Sequence, residues 1–425
     1  MKPKDIRLLI ADLGILGIPI GQKVADDFKS VEYWTPAVKS FMGPKDWNIG
    51  TGIPGIMRVD SYEDAKERIK KENGIIYFPD VGMGDMLEAA KRESIRVVGA
   101  GNSGELEMSR IKAKKVLRDV GLPMPEWGWV KGIEALEKIL REKEDIYLKL
   151  DTENRAVMET WHHKNWKESR TTFYKLAHDL QCFIDITLFI WEKPWPGVEV
   201  GQDTFVCNGI FFEESLYGIE DKGNGYTCVH RKAADFPAAI RKVNNAMAPV
   251  ELKYGTCGPI SSEIRVNKEG IGYYGDFTRR QGNPPTACIS KQYKNLGPII
   301  NGLADGVEVK PEWAAQYASE ISIEYPGADV DAVPMPLSDK DTDLIILRAA
   351  CKLDGMFWNI PFPEVGNVVV KAVGLGDTRE ESQNNCIRGA EKACDKISGA
   401  YFDRYTFERI EEELAKGKRY GLGEM

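Results

Sequence analysis

The chain has 425 residues, enough for two or three domains with a large core, and its apolar (43%), aromatic (10%) and charged (29%) fractions are those of a soluble globular protein. A formal net charge of −8 argues against a nucleic-acid-binding body, which would carry a basic stripe. Eight cysteines without a C-x-x-C pair, and four histidines of which His162 and His163 are adjacent, argue against zinc or a disulfide framework and for free thiols in a reducing compartment. No apolar run reaches membrane-spanning length, and MKPKDIRLLIADLG lacks a secretory core, so a cytoplasmic protein with no membrane or nucleic-acid partner is expected.

Residues 6–12 form an apolar strand feeding a turn and helix through Gly14, Gly17 and Gly21. That spacing is not the G-x-G-x-x-G of a dinucleotide site, which sets aside a nicotinamide-dependent oxidoreductase. A helix at 62–72, a strand at 74–79, a helix at 83–93 and a strand at 95–99 continue the alternation, so a doubly wound parallel sheet should end near Gly101. A charged helix over 105–120 stops at Gly121 and Pro123. Strands at 127–130 and 146–150 (IYLKL) flank a helix at 133–144, and Lys149 interrupts the second strand, which is unfavourable unless an anion meets it or the ammonium snorkels out at a strand edge. The apolar run 183–192 is broken by KPWPG, after which Glu199 opens another strand. Backbone in such a kink can read a base edge while the acid accepts from ribose hydroxyls. Residues 221–232 (DKGNGYTCVHRK) read as a loop over phosphates, with Arg231 or Lys232 as charged donor.

Residues 258–285 read as a β-hairpin turning at 267–270. A four-residue turn sets Glu263 opposite Tyr274, with Asp276, Thr278, Arg280 and Arg265 on the same face. Two carboxylates and a guanidinium there can hold Mg²⁺ between phosphates and neutralise a transferring phosphoryl group; a charged, solvent-facing hairpin is the plainer alternative. Residues 333–343 look like a connector. The last hundred residues read as a smaller α+β unit, with a strand at 368–373, a turn at Gly374 and Gly376, and a capping box Asp377-x-x-Glu380. Cys386, Ile387, Ala390, Ala393, Cys394 and Ile397 then follow at helical core spacing.

In order, and approximately in spacing, these pieces resemble the ATP-grasp superfamily, and within it the phosphoribosylamine–glycine ligases over most of the chain. The family's serine–lysine helix ending in G-I-P-T is similar to Glu107, Ser109, Arg110 and Lys114 followed by GLPMP, and its V-V-K-A-D strand to YLKLD with Lys149 and Asp151. Its nucleotide-pocket acids look like Glu192 and Glu199. Its acid followed by E-x-N looks like Glu263, Asp276 and Thr278, and its N-x-R-F-G-D-P run like Thr278, Arg280, Gly282, Asn283 and Pro284. The segment VVKAVGLGDTREESQ resembles the family's closing domain.

The resemblance implies a mixed α/β and α+β chain. It would have a Rossmann-like N-terminal domain (1–104), a two-lobed ATP-grasp domain (105–330, smaller nucleotide lobe about 125–195) and a C-terminal α+β domain (331–425). It implies a carboxylate–amine ligase using ATP and Mg²⁺ (or Mn²⁺) through an acyl phosphate. The substrates would be glycine or another small amino acid and an amine, as in purine biosynthesis, and the enzyme a monomer or homodimer. Lys114 and Lys149 would meet the phosphates, Glu192 the adenine, Glu199 the ribose, Glu263, Asp276 and Thr278 the metal, and Arg280 the acyl phosphate. The departures are specific. The family's glycine-rich lid is replaced by TENRAVME (152–159), where Arg155 is the candidate for the lid lysine, Asp276 is shorter than glutamate, and Thr278 stands for asparagine. No counterpart of the family's G-G-R-E-H or N-T-G-G-M-G-A loops is present. These departures keep open a nucleotide-binding relative that has lost ligase activity and serves as a regulatory or structural partner.

Overall fold

The computed structural model describes residues 2–37, 47–151, 160–362 and 366–425. Strand Arg7–Ala11 lies at the centre of five parallel strands, between Ser30–Trp34 and Ile75–Tyr77, with Met57–Arg58 and Arg96–Val98 at the edges. Its side chains alternate: Leu8 and Ile10 join one core with helix Gly17–Val24, and Leu9 and Ala11 a second with helices Tyr62–Lys71 and Gly84–Arg92. The expected doubly wound sheet is therefore present. Two of its strands, Ser30–Trp34 and Met57–Arg58, carried no readable pattern.

The helix expected over 105–120 is two helices, Glu105–Met108 and Arg110–Asp119. Ser109 divides them: its backbone is extended, and its hydroxyl accepts from the Lys112 amide at 3.3 Å as the cap of the second helix. Next comes a four-stranded antiparallel lobe in the order Trp127–Lys131, Leu188–Glu192, Ile146–Leu150, Trp161–His163. Helices Ile133–Glu142 and Trp166–Leu180 back it, and Leu136, Leu148, Phe173 and Phe189 fill its separate core. With Ile146, Leu148 and Leu150 committed to that core, Tyr147 and Lys149 must project from the other face.

The largest sheet is antiparallel, running from Gly272–Thr278 through Gly258–Val266, Val198–Cys207, Glu214–Asp221, Gly225–Lys232, Tyr317–Glu324 and Val368–Gly376 to Ile345–Leu347. The last hundred residues thus add two strands to the sheet that carries the acidic hairpin. Residues 221–232 are a loop only at the turn 222–224, which lines the cavity; the rest is strand. Asp221 pairs with Gly225 and Glu214 with Lys232 in an unbroken ladder, and Tyr226 to Val229 are buried on both faces, which hid the period-two signal. The connector at 333–343 contains a strand, Val333–Met335.

Gly374 and Gly376 do not turn the chain; the strand runs through them, and a Cβ at Gly374 would lie 2.1 Å from the Ser382 carbonyl oxygen. They allow helix Arg379–Lys396 to lie directly on the strand. That helix is capped by Thr378, whose hydroxyl accepts from the Glu381 amide at 3.1 Å, one residue later than the expected box. Cys386, Ala390, Ala393 and Ile397 are buried as their spacing predicted. Among the described residues no helix is long and apolar enough to cross a membrane.

Candidate active site

The hairpin 258–278 forms, with a register the sequence reading missed. Ile264, not Glu263, pairs with Tyr274, and Ser262 pairs with Phe277. Between those pairs Glu263 faces both Gly275 and Asp276, a β-bulge with the extra residue on the second strand. The bulge turns Tyr274 and Phe277 to the same buried side, with ring centroids 4.6 Å apart. Glu263, Asp276 and Thr278 are left together on the cleft side, where they line a common cavity.

Lys149 meets the anion its position demanded. Its ammonium lies 2.9 Å from Asp276 and 3.1 Å from Glu192. Glu192 is the diagonal neighbour of Lys149 across the antiparallel pair, since Lys149 faces Ile190 and Tyr147 faces Glu192. Its other oxygen lies 2.5 Å from Lys114, which sits between the Trp127 and Trp195 rings. One run of charges, Lys114–Glu192–Lys149–Asp276, therefore ties the smaller lobe to the hairpin of the larger sheet. Burial disfavours each charge, but the partners prevail: Asp276 and Glu192 raise the Lys149 pKa, Lys149 and then Lys114 hold Glu192 low, and Lys149 with Arg110 holds Asp276 well below the carboxylate range.

On the same side Glu199 accepts from Lys222 at 2.5 Å and pairs with Arg265 at 2.8 Å. Lys222 also lies 3.2 Å from both Glu220 and Glu263. One ammonium thus serves three carboxylates. Burial, and then Glu199 and Asp276 crowding against the relief from Lys222, push Glu263 up to about 7. Gly197, at φ +109°, lets the kink pass within reach of this cluster; a Cβ there would lie 2.1 Å from the Val266 carbonyl oxygen. Glu199, Glu220, Lys222 and Glu263, with Asp203, Thr278, Arg280, Arg348 and Lys371, line a cavity of about 590 Å³.

Arg280 is aimed by two acids of earlier elements, 2.9 Å from Glu107 and 3.4 Å from Asp80. Burial, partly countered by Arg280, pushes Asp80 up to about 7. Arg231 and Lys232 are not brought to the cleft. They stand six and seven residues along their strand from Gly225, which lines the cavity, or about 20 Å at an ordinary strand rise. Arg231 donates instead to the Glu424 carbonyl and lies over the Tyr217 ring. Lys222, Glu220 and Asp80 were missed, and Glu107 was named without a role: Lys222 and Glu220 fell in or beside a stretch read as loop, and the other two face Arg280 only through tertiary contact. The glycine-free segment 152–159, including Arg155, lies outside the described residues.

The sequence matches no family model and no curated protein. Solved structures do match. Phosphoribosylamine–glycine ligase from Thermotoga maritima superposes with a TM-score of 0.69 at 16% identity, over 94% of this chain and 99% of that one. An L-amino acid ligase from Bacillus licheniformis gives 0.60 at 15%, over 94% and 100%. Biotin carboxylase from Campylobacter jejuni, in a β,γ-ATP complex, gives 0.61 at 14%, over 93% and 92%. The chain has the fold of the ATP-grasp enzymes.

Proposed function

We propose that the protein is an ATP-dependent carboxylate–amine ligase acting through an acyl phosphate. The observation that carries this reading is the run Lys114–Glu192–Lys149–Asp276, which spans from the smaller lobe to the hairpin beside a cavity lined by Glu199, Lys222, Glu263 and Arg280. Phosphoryl transfer asks a protein chiefly for positioning and charge neutralisation, and no protein nucleophile is needed.

In this reading Lys114 and Lys149 hold the ATP phosphates, and Glu192, expected at the adenine, is paired with both ammoniums and positions them instead. Glu199 takes the ribose hydroxyls, and the backbone of 193–197 the base. A substrate carboxylate oxygen attacks the γ-phosphorus and ADP leaves; an amine then attacks the acyl carbon and phosphate leaves. Arg280, held by Glu107 and Asp80, receives the acyl-phosphate oxygens.

The donor set fits Mg²⁺. Burial first, and then the Glu199 and Asp276 carboxylates, lift the Glu263 pKa against Lys222, and a divalent ion would relieve that crowding. Among the described residues no group of three His, Cys, Asp or Glu is placed to hold a metal ion, so phosphates and water would have to complete its shell. Glu263 and Asp276, with the Thr278 hydroxyl, would hold it. Bound there, Mg²⁺ supplies charge neutralisation at the transferring phosphoryl group.

The test is ADP release from MgATP across a panel of amino acids and amines, glycine with phosphoribosylamine among them. Substrate-stimulated release is the expected result. Nucleotide binding without stimulation by any pair would favour the second reading, a non-catalytic nucleotide-binding relative, to which the glycine-free 152–159 segment and Thr278 lend weight.

A further inference from the structure

Most cavity-lining cations are committed. Lys222 serves Glu199, Glu220 and Glu263, Arg280 serves Glu107 and Asp80, and Lys371 lies 2.5 Å from Glu320. Arg348, just past strand Ile345–Leu347, is different. It is 5% exposed, no acid among the described residues pairs with it, and its Nη2 is buried without any hydrogen-bond partner. Burial, partly countered by the Glu320 carboxylate that Lys371 already pairs, lowers its pKa only to about 10, so the guanidinium remains charged at neutral pH. A buried, unpaired guanidinium is unfavourable for folding, and its retention on a cavity wall calls for an anion that comes and goes. The Ser322 hydroxyl lies on the same wall.

We propose that Arg348 binds a carboxylate of the substrate that is not consumed in the reaction. The inference rests on the ligase reading for its cavity and names the substrate class. One uncompensated cation beside the neutral Lys371–Glu320 pair matches a monoanion better than a phosphate dianion, and the planar fork suits two parallel bonds to a carboxylate. The group could sit on either reactant: the amine would then be an amino acid, or the acid a dicarboxylate.

The experiment compares ADP release for reactant pairs differing only in the spare carboxylate: alanine against ethylamine as the amine, and glutarate against butyrate as the acid. In one of these arms the carboxylate-bearing member should have a KM at least tenfold lower, which identifies its source. Arg348→Met should raise that KM about thirtyfold without altering MgADP affinity, and Arg348→Lys should recover part of the loss. Because Glu320 keeps Lys371 as its partner when Arg348 is lost, Arg348→Met should melt no lower than the wild type, whereas a structural arginine would make it melt lower. A lower melting temperature, an unchanged KM in both arms, or weakened MgADP binding instead would each overturn the assignment.

If the wild type releases no ADP with any pair, the ligase reading fails by itself. The assignment is then decided by calorimetry of alanine and glutarate against the MgADP-bound wild type and Arg348→Met proteins. Binding lost in the variant upholds it, and no binding to the wild type, or equal binding to both proteins, overturns it.

Discussion

Asp203 allows a worked test of the cleft's electrostatics. Its side chain is 2% exposed, accepts from the Tyr226 and Ser261 hydroxyls, and lines the cavity. Burial, against those two hydroxyls, pushes its pKa up to about 7 from 3.8. A folded pKa above the unfolded one gives a stabilising contribution that is complete below about pH 3.8 and lost as pH rises through 7. Between pH 5 and pH 8 the loss accrues over the two units up to 7, at about 1.4 kcal/mol each, or about 3 kcal/mol. Asp203→Asn keeps the shape and an acceptor oxygen but cannot ionise. Denaturant unfolding of both proteins at pH 5 and pH 8, without nucleotide, isolates this group, because Asp80 and Glu263 titrate in both and cancel. The variant should gain about 3 kcal/mol on the wild type between the two pH values. Parallel pH profiles, or a gain toward acid, would refute the reasoning.

Glu192→Gln leaves Lys114 without an acid and Lys149 with Asp276 alone, so it should destabilise the nucleotide-free protein by about 3–5 kcal/mol, as breaking buried pairs does. Saturating MgADP should restore part of this, read as a larger nucleotide-induced melting shift than in the wild type; equal shifts would count against phosphates replacing Glu192. Glu263→Gln and Asp276→Asn should each lower turnover a hundredfold or more, about 3 kcal/mol in the barrier, and near-normal rates in both would reject the metal assignment. Arg280→Ala should abolish turnover with nucleotide affinity kept, whereas Arg231→Ala, bonded near the C-terminus, should change kcat/KM less than twofold. A large effect at Arg231 would contradict its placement away from the cleft.

Much of the site was legible because its signals are local. An apolar strand broken at Lys149 calls for an anion or a strand edge, and Glu263, Asp276 and Thr278 lie close enough in sequence to share a hairpin face. Periodicity and caps likewise gave most of the strand and helix order through residue 150, but not strands Ser30–Trp34 and Met57–Arg58 or the break at Ser109. Tertiary structure decided the rest, because the deciding partners are remote or the local pattern is ambiguous. The bulge opposite Glu263 follows from which aromatics the core accepts, and it reverses the side on which Tyr274 lies. Lys222 meets Glu263 across 41 residues and Arg280 meets Glu107 across 173, separations at which no spacing rule operates. Arg348 is the extreme case: a sequence shows that an arginine exists, and only packing reveals that it is buried on a cavity wall with its Nη2 unbonded.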